Sequence, residues 1–463
     1  MNKDISKTPP TVVGERFFTV EAFKYGDNIT RLSALVFGLG NLLRGQAVRF
    51  ALYIAAELGY IIYMAFFGVQ AIANLGTLGT LTQSSVFDEA QGIYVTMPGD
   101  NSMLILLYGV VSILITLGFL CVMASSVRSA YVAQKALERN RKPDDFSTDA
   151  KSLLDTNLYK LLMAWPVTGI LVFTVVPLVF MILIAFTNYD KNHQVPGNLF
   201  TWVGLENFKA MFSFGSTGLG STFFPVLAWT LIWAVFATFS NYILGMILAI
   251  IINRNGTRLK SFWRFVFVLS IALPAFVSLL TMRTIFANSG PFNTLLMQLG
   301  IIKNPVVWWG DPTRAKIMII IVNIWIGIPY TMLTTTGILQ NIPAELYEAA
   351  TVDGASPAVT FFKITLPYMM FIMTPYLITA FTGNINNFNV IYLLTGGGPE
   401  SLDYYYAGKT DLLVTWLYKL TITNKDYNLG SVIGILVFVL MAVTSLIAYR
   451  QTGSYKNEEE FQK

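Results

Sequence analysis

The chain reads as an all-α polytopic membrane protein, and three observations lead there. Of its 463 residues 54% are hydrophobic and 12% charged, with a mean hydropathy of +0.57; a soluble domain carries about twice that charged fraction. Apolar runs of about 18 residues or more recur along the chain, each long enough for a helix to cross the hydrocarbon core. Basic residues gather in short stretches between these runs. That placement is a topology signal and not a nucleic-acid patch, despite a net charge of +5 and a pI near 9.0.

Eight transmembrane helices are predicted, at about 49–70, 103–124, 161–186, 225–252, 265–285, 317–338, 368–392 and 430–449. Residues 1–48 are mixed polar, show no cleavable signal peptide, and form an N-terminal segment. The first two spans and the charged stretch 125–160, expected to be helical from Ala130 to Arg139, make a second part, 49–160. The remaining six spans form a core, 161–450, followed by a tail, 451–463. Residues 71–102 carry no Lys or Arg and are expected outside, as are 187–224 and 393–429. With the N-terminus in the cytoplasm, 22 of the 31 Lys and Arg lie inside, eight outside and Arg283 within a span. The positive-inside rule thus puts both termini in the cytoplasm.

Some chemistry is excluded. Cys121 and His193 are the only residues of their kinds, so no internal disulfide and no Cys/His zinc site can form. The thiol, inside an apolar run, is expected to be buried. Gly408-Lys409-Thr410 mimics the end of a phosphate loop, but Asp403 stands where the motif's first glycine belongs. No nucleophile, carboxylate pair or histidine is placed to make the chain an enzyme. Glu57 and Arg283 are charges within spans; snorkelling accounts for Arg283 near a span end, and pairing with another helix is the plain reading of Glu57.

Two intramembrane clusters point to a ligand. In span six, Asn323, Gly327 and Tyr330 fall at i, i+4 and i+7 on one helical face, with Trp325 nearby and Pro329 able to kink the helix. An amide, a gap at glycine and a phenol suit the edge of a sugar ring. In span seven, Asn384 and Asn387 share a face within Gly383-Asn-Ile-Asn-Asn-Phe-Asn389. Amides are costly in hydrocarbon unless they face protein, water or ligand. The plain alternative is interhelical glue. Two clusters beside the flat faces of Trp325, Phe388 and Tyr392, with no charged group among them, favour a neutral polyhydroxyl ligand.

Between these spans lies a polar island, 341–367. Pro343 stands near a helix start, Glu345 and Glu348 occupy its early turns, and Gly354 falls where the helix must end. Ser356-Pro357 then supplies an N-cap and a first-turn proline for a second short helix. An amphipathic helix merely resting on the membrane would not need the Asp353-Gly354 break.

This Glu-Ala-Ala, gap, Gly, Ile-Thr-Leu-Pro pattern resembles the coupling loop of permease subunits of binding-protein-dependent ABC importers. The Asn-x-Trp-x-Gly-x-Pro-Tyr and Asn-x-Asn-Asn-Phe stretches, with Leu-Leu-Thr-Gly-Gly-Gly-Pro at 393–399, resemble the maltose/maltodextrin permeases of MalF type. The likeness is strong from about Phe173 to Tyr449; the first 160 residues share only the two extra spans. The resemblance implies a type I ABC importer permease architecture. It implies a sugar site of Asn323, Ile326, Gly327, Tyr330, Asn384 and Asn387, and an ATPase-coupling set of Glu345, Glu348, Ala349, Ala350, Asp353 and Gly354. Gly383 stands where some relatives have an aromatic residue.

The implied partners are a second permease subunit, two ATP-binding cassette ATPase subunits, an extracellular solute-binding protein, an oligosaccharide and membrane lipid, with no nucleic acid. No cofactor is implied for the chain itself, ATP being used by the partner ATPases. The cargo implied is maltose or maltodextrin, with galacto-oligosaccharides or raffinose-type sugars as alternatives. The loop 187–224 is short where enteric relatives insert a folded domain, which implies a bacterial plasma-membrane protein of Gram-positive-like type. An ion-coupled secondary sugar transporter is the rival from another class. It predicts internal repeats and intramembrane carboxylates, and only Glu57 answers to that. A membrane-embedded sugar transferase would need paired acids near a span end, which Asp190, Glu400 and Asp403 do not form.

Overall fold

The computed structural model describes residues 19–89, 92–215, 218–254 and 256–450. The extreme N-terminus and the 451–463 tail, both assigned to the cytoplasm by charge, lie outside the described residues. The chain divides into two compact units, residues 1–183 with 192–202, and 184–191 with 203–463.

In the first unit, three short helices, α1 (Thr19–Tyr25), α2 (Asn28–Leu32) and α3 (Leu39–Leu42), lead into the spanning helix α4 (Ala47–Asn74). A β-hairpin, β1 (Ser84–Asp88) and β2 (Ile93–Met97), interrupts the expected loop, with Val86 opposite Val95. Helix α5 (Ser102–Glu138) continues well past the span predicted at 103–124, and its C-terminal extension packs on α1, α2 and α3. Here Gly38 N donates to Ser126 Oγ at 2.8 Å, and Ser126 Oγ donates to the Ser33 carbonyl at 3.0 Å. Glu57 is 9% exposed and accepts from Phe37 N at 2.7 Å. Its partner is therefore the backbone of the docked N-terminal segment and not a side chain of a neighbouring span. Cys121 is exposed, against the expectation of a buried thiol. A short helix α6 (Phe146–Leu154) follows, then the span α7 (Leu158–Ile184).

The second unit holds α8 (Glu206–Phe212), the long span α9 (Gly220–Asn253), α10 (Lys260–Ala272), α11 (Ala275–Ile285) and α12 (Pro291–Gln298). It continues with α13 (Pro312–Gln340), α14 (Ala344–Val352), α15 (Pro357–Ile385), α16 (Phe388–Thr395), α17 (Leu413–Tyr418) and α18 (Tyr427–Arg450). The fifth predicted span is not one helix. α10 and α11 meet at Leu273-Pro274 with a bend of 89°, because a proline there offers no N–H to carry the ladder across. The seventh span starts and ends earlier than expected, running from Pro357 to Ile385, and Asn387 caps the separate helix α16. Among the described residues, seven helices are thus long and apolar enough to cross a membrane, or eight if the bent pair counts as one.

α9 and α13 form the main packing axis of this unit. A Cβ on Gly245 would lie 2.7 Å from Thr331 Cβ, and one on Gly327 would lie 2.4 Å from Asn241 Nδ2. Small residues let the two backbones approach closely, the usual device where lipid supplies no hydrophobic drive between helices. Around the α17–α18 end, Trp416 and Leu420 are fully buried with Val432 and Ile433, and Trp416 Nε1 donates to the Tyr405 carbonyl at 2.8 Å.

Candidate translocation site and coupling helix

Asn323 on α13 is 8% exposed, and its amide nitrogen has no hydrogen-bond partner among the described residues. Asn241 on the facing helix α9 donates from Nδ2 to the Ala237 carbonyl at 2.8 Å, while its Oδ1 is likewise buried and unbonded. An unsatisfied buried amide is costly, so both side chains are held here at an energetic expense.

The expected gap at Gly327 is not a gap. The Asn241 side chain occupies the space, so Gly327 serves helix contact and leaves no room for a ring. Pro329 lies inside a helix that runs unbroken from Pro312 to Gln340. Tyr330 is 52% exposed, its ring centroid 6.3 Å from that of Tyr376. With Trp325 and Ile326 it lines a groove of about 290 Å³, closed on the other side by Ser270, Pro274 and Ser278 at the α10–α11 bend.

The span-seven amides are bonded to protein. Asn384 Nδ2 donates to Thr238 Oγ1 at 3.0 Å, and its carbonyl accepts from Trp233 Nε1 at 3.1 Å. Asn387 Nδ2 donates to Asn384 Oδ1 at 3.2 Å, and its own Oδ1 accepts from Val390 N at 3.3 Å as the cap of α16. Phe388 and Tyr392 stack at 4.7 Å, and both meet the Tyr418 ring edge-on. Both clusters therefore pack on α9, at Thr238 and Asn241, which are i and i+3 on one face. Sequence reasoning missed these two residues. The signal was there: Thr238, Ser240 and Asn241 fall close together in the middle of a mainly apolar helix of 34 residues.

The polar island folds as expected in its first half. α14 begins after Pro343, and Glu345, Glu348 and Ala349 on it are exposed while Ala350 is buried. Gly354 takes φ +72°, and the Ala355 N–H closes back on the Ala350 carbonyl at 2.9 Å, ending the helix. Val352 stands 87% exposed at its end. Ser356 caps the next helix, Oγ accepting from Val359 N at 3.4 Å. That second helix is not short. It runs through a π-helical turn, Phe361–Thr365, into the span α15, and Tyr347 on α14 is hydrogen-bonded to Thr365 within the turn at 3.1 Å. Gly408 N donates to Asp411 Oδ2 and the Lys409 ammonium sits 3.6 Å above the Tyr404 ring, so this segment makes no phosphate loop.

Residues 241–453 match the model of the binding-protein-dependent transport system inner membrane component. Over 433 residues the chain is 35% identical to the galactooligosaccharides transport system permease protein GanP of Bacillus subtilis, a match covering 93% of this chain and 99% of that one. It is 33% identical to the maltodextrin transport system permease protein MdxF of the same organism, over 92% and 96% of the two chains. Among solved structures, a chain of the bacterial alginate ABC transporter in complex with alginate pentasaccharide-bound periplasmic protein matches with a TM-score of 0.54 at 20% identity, over 66% of this chain and 98% of that one. That likeness carries the fold. The chain belongs to the family of binding-protein-dependent transport system inner membrane components. Within it the chain is a MalF-type permease subunit, a multi-pass membrane protein that is not itself an enzyme. The likeness also reaches well into the first 160 residues, beyond the two shared spans expected there.

Proposed function

We propose that the chain forms half of the pore of an importer for a neutral oligosaccharide, a maltodextrin or a galacto-oligosaccharide, as the names of its relatives suggest. A second permease subunit completes the pore, an extracellular solute-binding protein delivers the sugar, and two cytoplasmic ATPases drive the cycle. The chain itself holds no cofactor. Both termini and α14 face the cytoplasm of a Gram-positive-type cell. Residues 161–450 carry transport, with 1–48 and 49–160 as N-terminal additions and 451–463 as a tail.

The observation that carries this reading is α14. It is a nine-residue helix with Glu345, Glu348 and Val352 exposed, joined by the Tyr347–Thr365 hydrogen bond to a span that ends in the asparagine cluster. Such a helix suits a groove on a partner, and Ala349, Ala350, Asp353 and Gly354 shape its end. In transport the sugar meets Asn323, Ile326 and Tyr330 along α13, with Gly327 holding α9 close and Asn384 and Asn387 fixing the end of α15. Thr238 and Asn241 join this set. Buried amides left unpaired without ligand discriminate strongly against analogues that cannot bond them.

The test is co-purification in mild detergent together with the Gly354→Pro variant. Proline cannot adopt φ +72° and removes the Gly354 N–H that bonds the Thr351 carbonyl at 3.1 Å. The wild type is expected to bring ATPases and a second permease, and the variant to insert normally but lose the ATPases. Full ATPase recovery with the variant would reject α14 as the coupling helix. A chain that purifies alone and takes up sugar without ATP would reject the importer.

A further inference from the structure

The first unit contains two adjoining cavities that transport does not use. One, of about 710 Å³, is the more polar of the two and is lined by Gln46, Arg49, Arg141, Lys142 and Lys151, with Asp144, Asp149 and Asp155. The other, of about 550 Å³, is mainly apolar and lies along Leu52, Ala56 and Val122 of α4 and α5, with Phe146 and Leu153 of α6 and with Lys160. They share a wall made by Arg49, Asp149, Ser152 and Asn157.

The wall is fixed. Arg49 Nε and Nη2 each bond an oxygen of Asp149 at 2.6 Å, a fork that pins α6 to the start of α4. Gln46 Nε2 donates to the Asp144 carbonyl at 2.6 Å and holds the loop before α6. Arg49 and Asp149 neutralise each other. Beside that pair, Lys142, Lys151 and Lys160 face Asp144 and Asp155, a small excess of positive charge. Lys142 and Lys151 are exposed and make no ion pair among the described residues.

The arrangement has a direction. The polar cavity lies at the end of the spans, and the apolar one runs from it along side chains of the membrane-crossing stretches. On α6, Phe146, Leu153 and Leu154 are exposed at 52%, 42% and 70%, as a helix lying in the interface requires. A water-soluble anion would use only the first cavity, and a neutral apolar ligand only the second. A phospholipid uses both. Basic pockets between spans at the cytoplasmic side are where anionic headgroups bind.

We propose that these joined cavities bind one anionic phospholipid, its phosphate held by Lys142 and Lys151 and an acyl chain laid along Leu52, Ala56 and Val122. The site tethers α6, and through the Arg49–Asp149 fork the start of α4, to the inner leaflet. The leaflet rests on the orientation proposed above. The site does not rest on the cargo, and its test reads bound lipid and not transport.

The full complex, stripped of lipid in detergent, is titrated by native mass spectrometry with phosphatidylglycerol, phosphatidylcholine and glycerol 1-phosphate. One phosphatidylglycerol is expected to remain bound at concentrations where phosphatidylcholine does not. Glycerol 1-phosphate at equal concentration should fail to displace it. Lys142→Gln with Lys151→Gln should weaken phosphatidylglycerol about ten- to thirtyfold. Ala56→Trp, an exposed position filled by a large ring, should weaken it independently of charge. Equal retention of the two lipids would overturn the proposal, as would unchanged binding in either variant. Displacement by glycerol 1-phosphate would show a free-phosphate site in place of a lipid site.

Discussion

Gly327 shows how one residue type supports two opposite readings. A glycine on a polar helical face reads as space for a ligand, and here its missing side chain is filled by Asn241 from the facing helix. Nothing in the local sequence separates these cases, because the answer depends on what packs opposite. Gly327→Ala is expected to destabilise the α9–α13 contact by about 1–3 kcal/mol, the usual cost of overpacking. Thermal melting of the purified complex measures it, and Asn241→Ala in the same chain should recover most of the loss. A second buried residue, Asp411, is 1% exposed and 2.8 Å from Lys419 Nζ. Burial pushes its carboxyl above the ordinary 3.8, with Lys419 acting against that shift. A raised folded pKa means that this group's contribution is complete below pH 3.8 and declines as pH rises through the raised value. Lys419→Met leaves a buried carboxylate alone and should cost roughly 3–5 kcal/mol. Adding Asp411→Asn should restore much of it, and an unaffected melting temperature in Lys419→Met would contradict the pairing.

Among the elements, those with explicit punctuation were legible. The Pro343 start, the Gly354 stop and the Ser356-Pro357 restart all appear in the structure, because caps are local chemistry. Spans were legible as apolar runs, but apolarity is blind to bending. The α10–α11 elbow and the end of α15 at Ile385 were missed because a straight and a broken span have the same composition, and only Pro274 hinted at the first. The amides of the asparagine cluster were legible as costly. That they bond Thr238, Trp233 and the α16 backbone was not, since partners on distant segments leave no local mark. Helix α6 offers a test at this scale. Its cap Asp145 accepts from Thr148 Oγ1 at 2.8 Å, Thr148 N at 3.0 Å and Ser147 Oγ at 3.0 Å. The Thr148 hydroxyl bond first, then the backbone bond, lowers its carboxyl to about 2. A depressed folded pKa gives stability that is present above 3.8 and lost as pH falls through about 2. Hydrogen exchange over 146–154 should therefore rise between these values. Asp145→Ala should show that fast exchange already at pH 7, and Asp145→Asn, which still caps, should not.

For the whole molecule, the π-helical turn at Phe361–Thr365 stands between the helix proposed to grip the ATPase and the amides at the far end of the same span. A π turn holds one residue more than an α turn needs. Such a turn can lose that residue and regularise with little change of register, but removing one residue from the α-helical stretch beyond it would rotate everything further along by about 100°. Asn384 would then turn away from Thr238, while α14 kept its sequence and its shape. The expected phenotype of deleting Phe371, in the regular helix beyond the turn, is a complex that assembles and hydrolyses ATP but moves no sugar, read by uptake into vesicles against ATPase rate. Point substitutions at the same place should be far milder, since they leave the angular offset intact. Chain length between this turn and Asn384 is thus a clutch setting: it fixes which face of the span the motor presents to the cargo, and an indel of one residue in that stretch can disengage the two without damaging either.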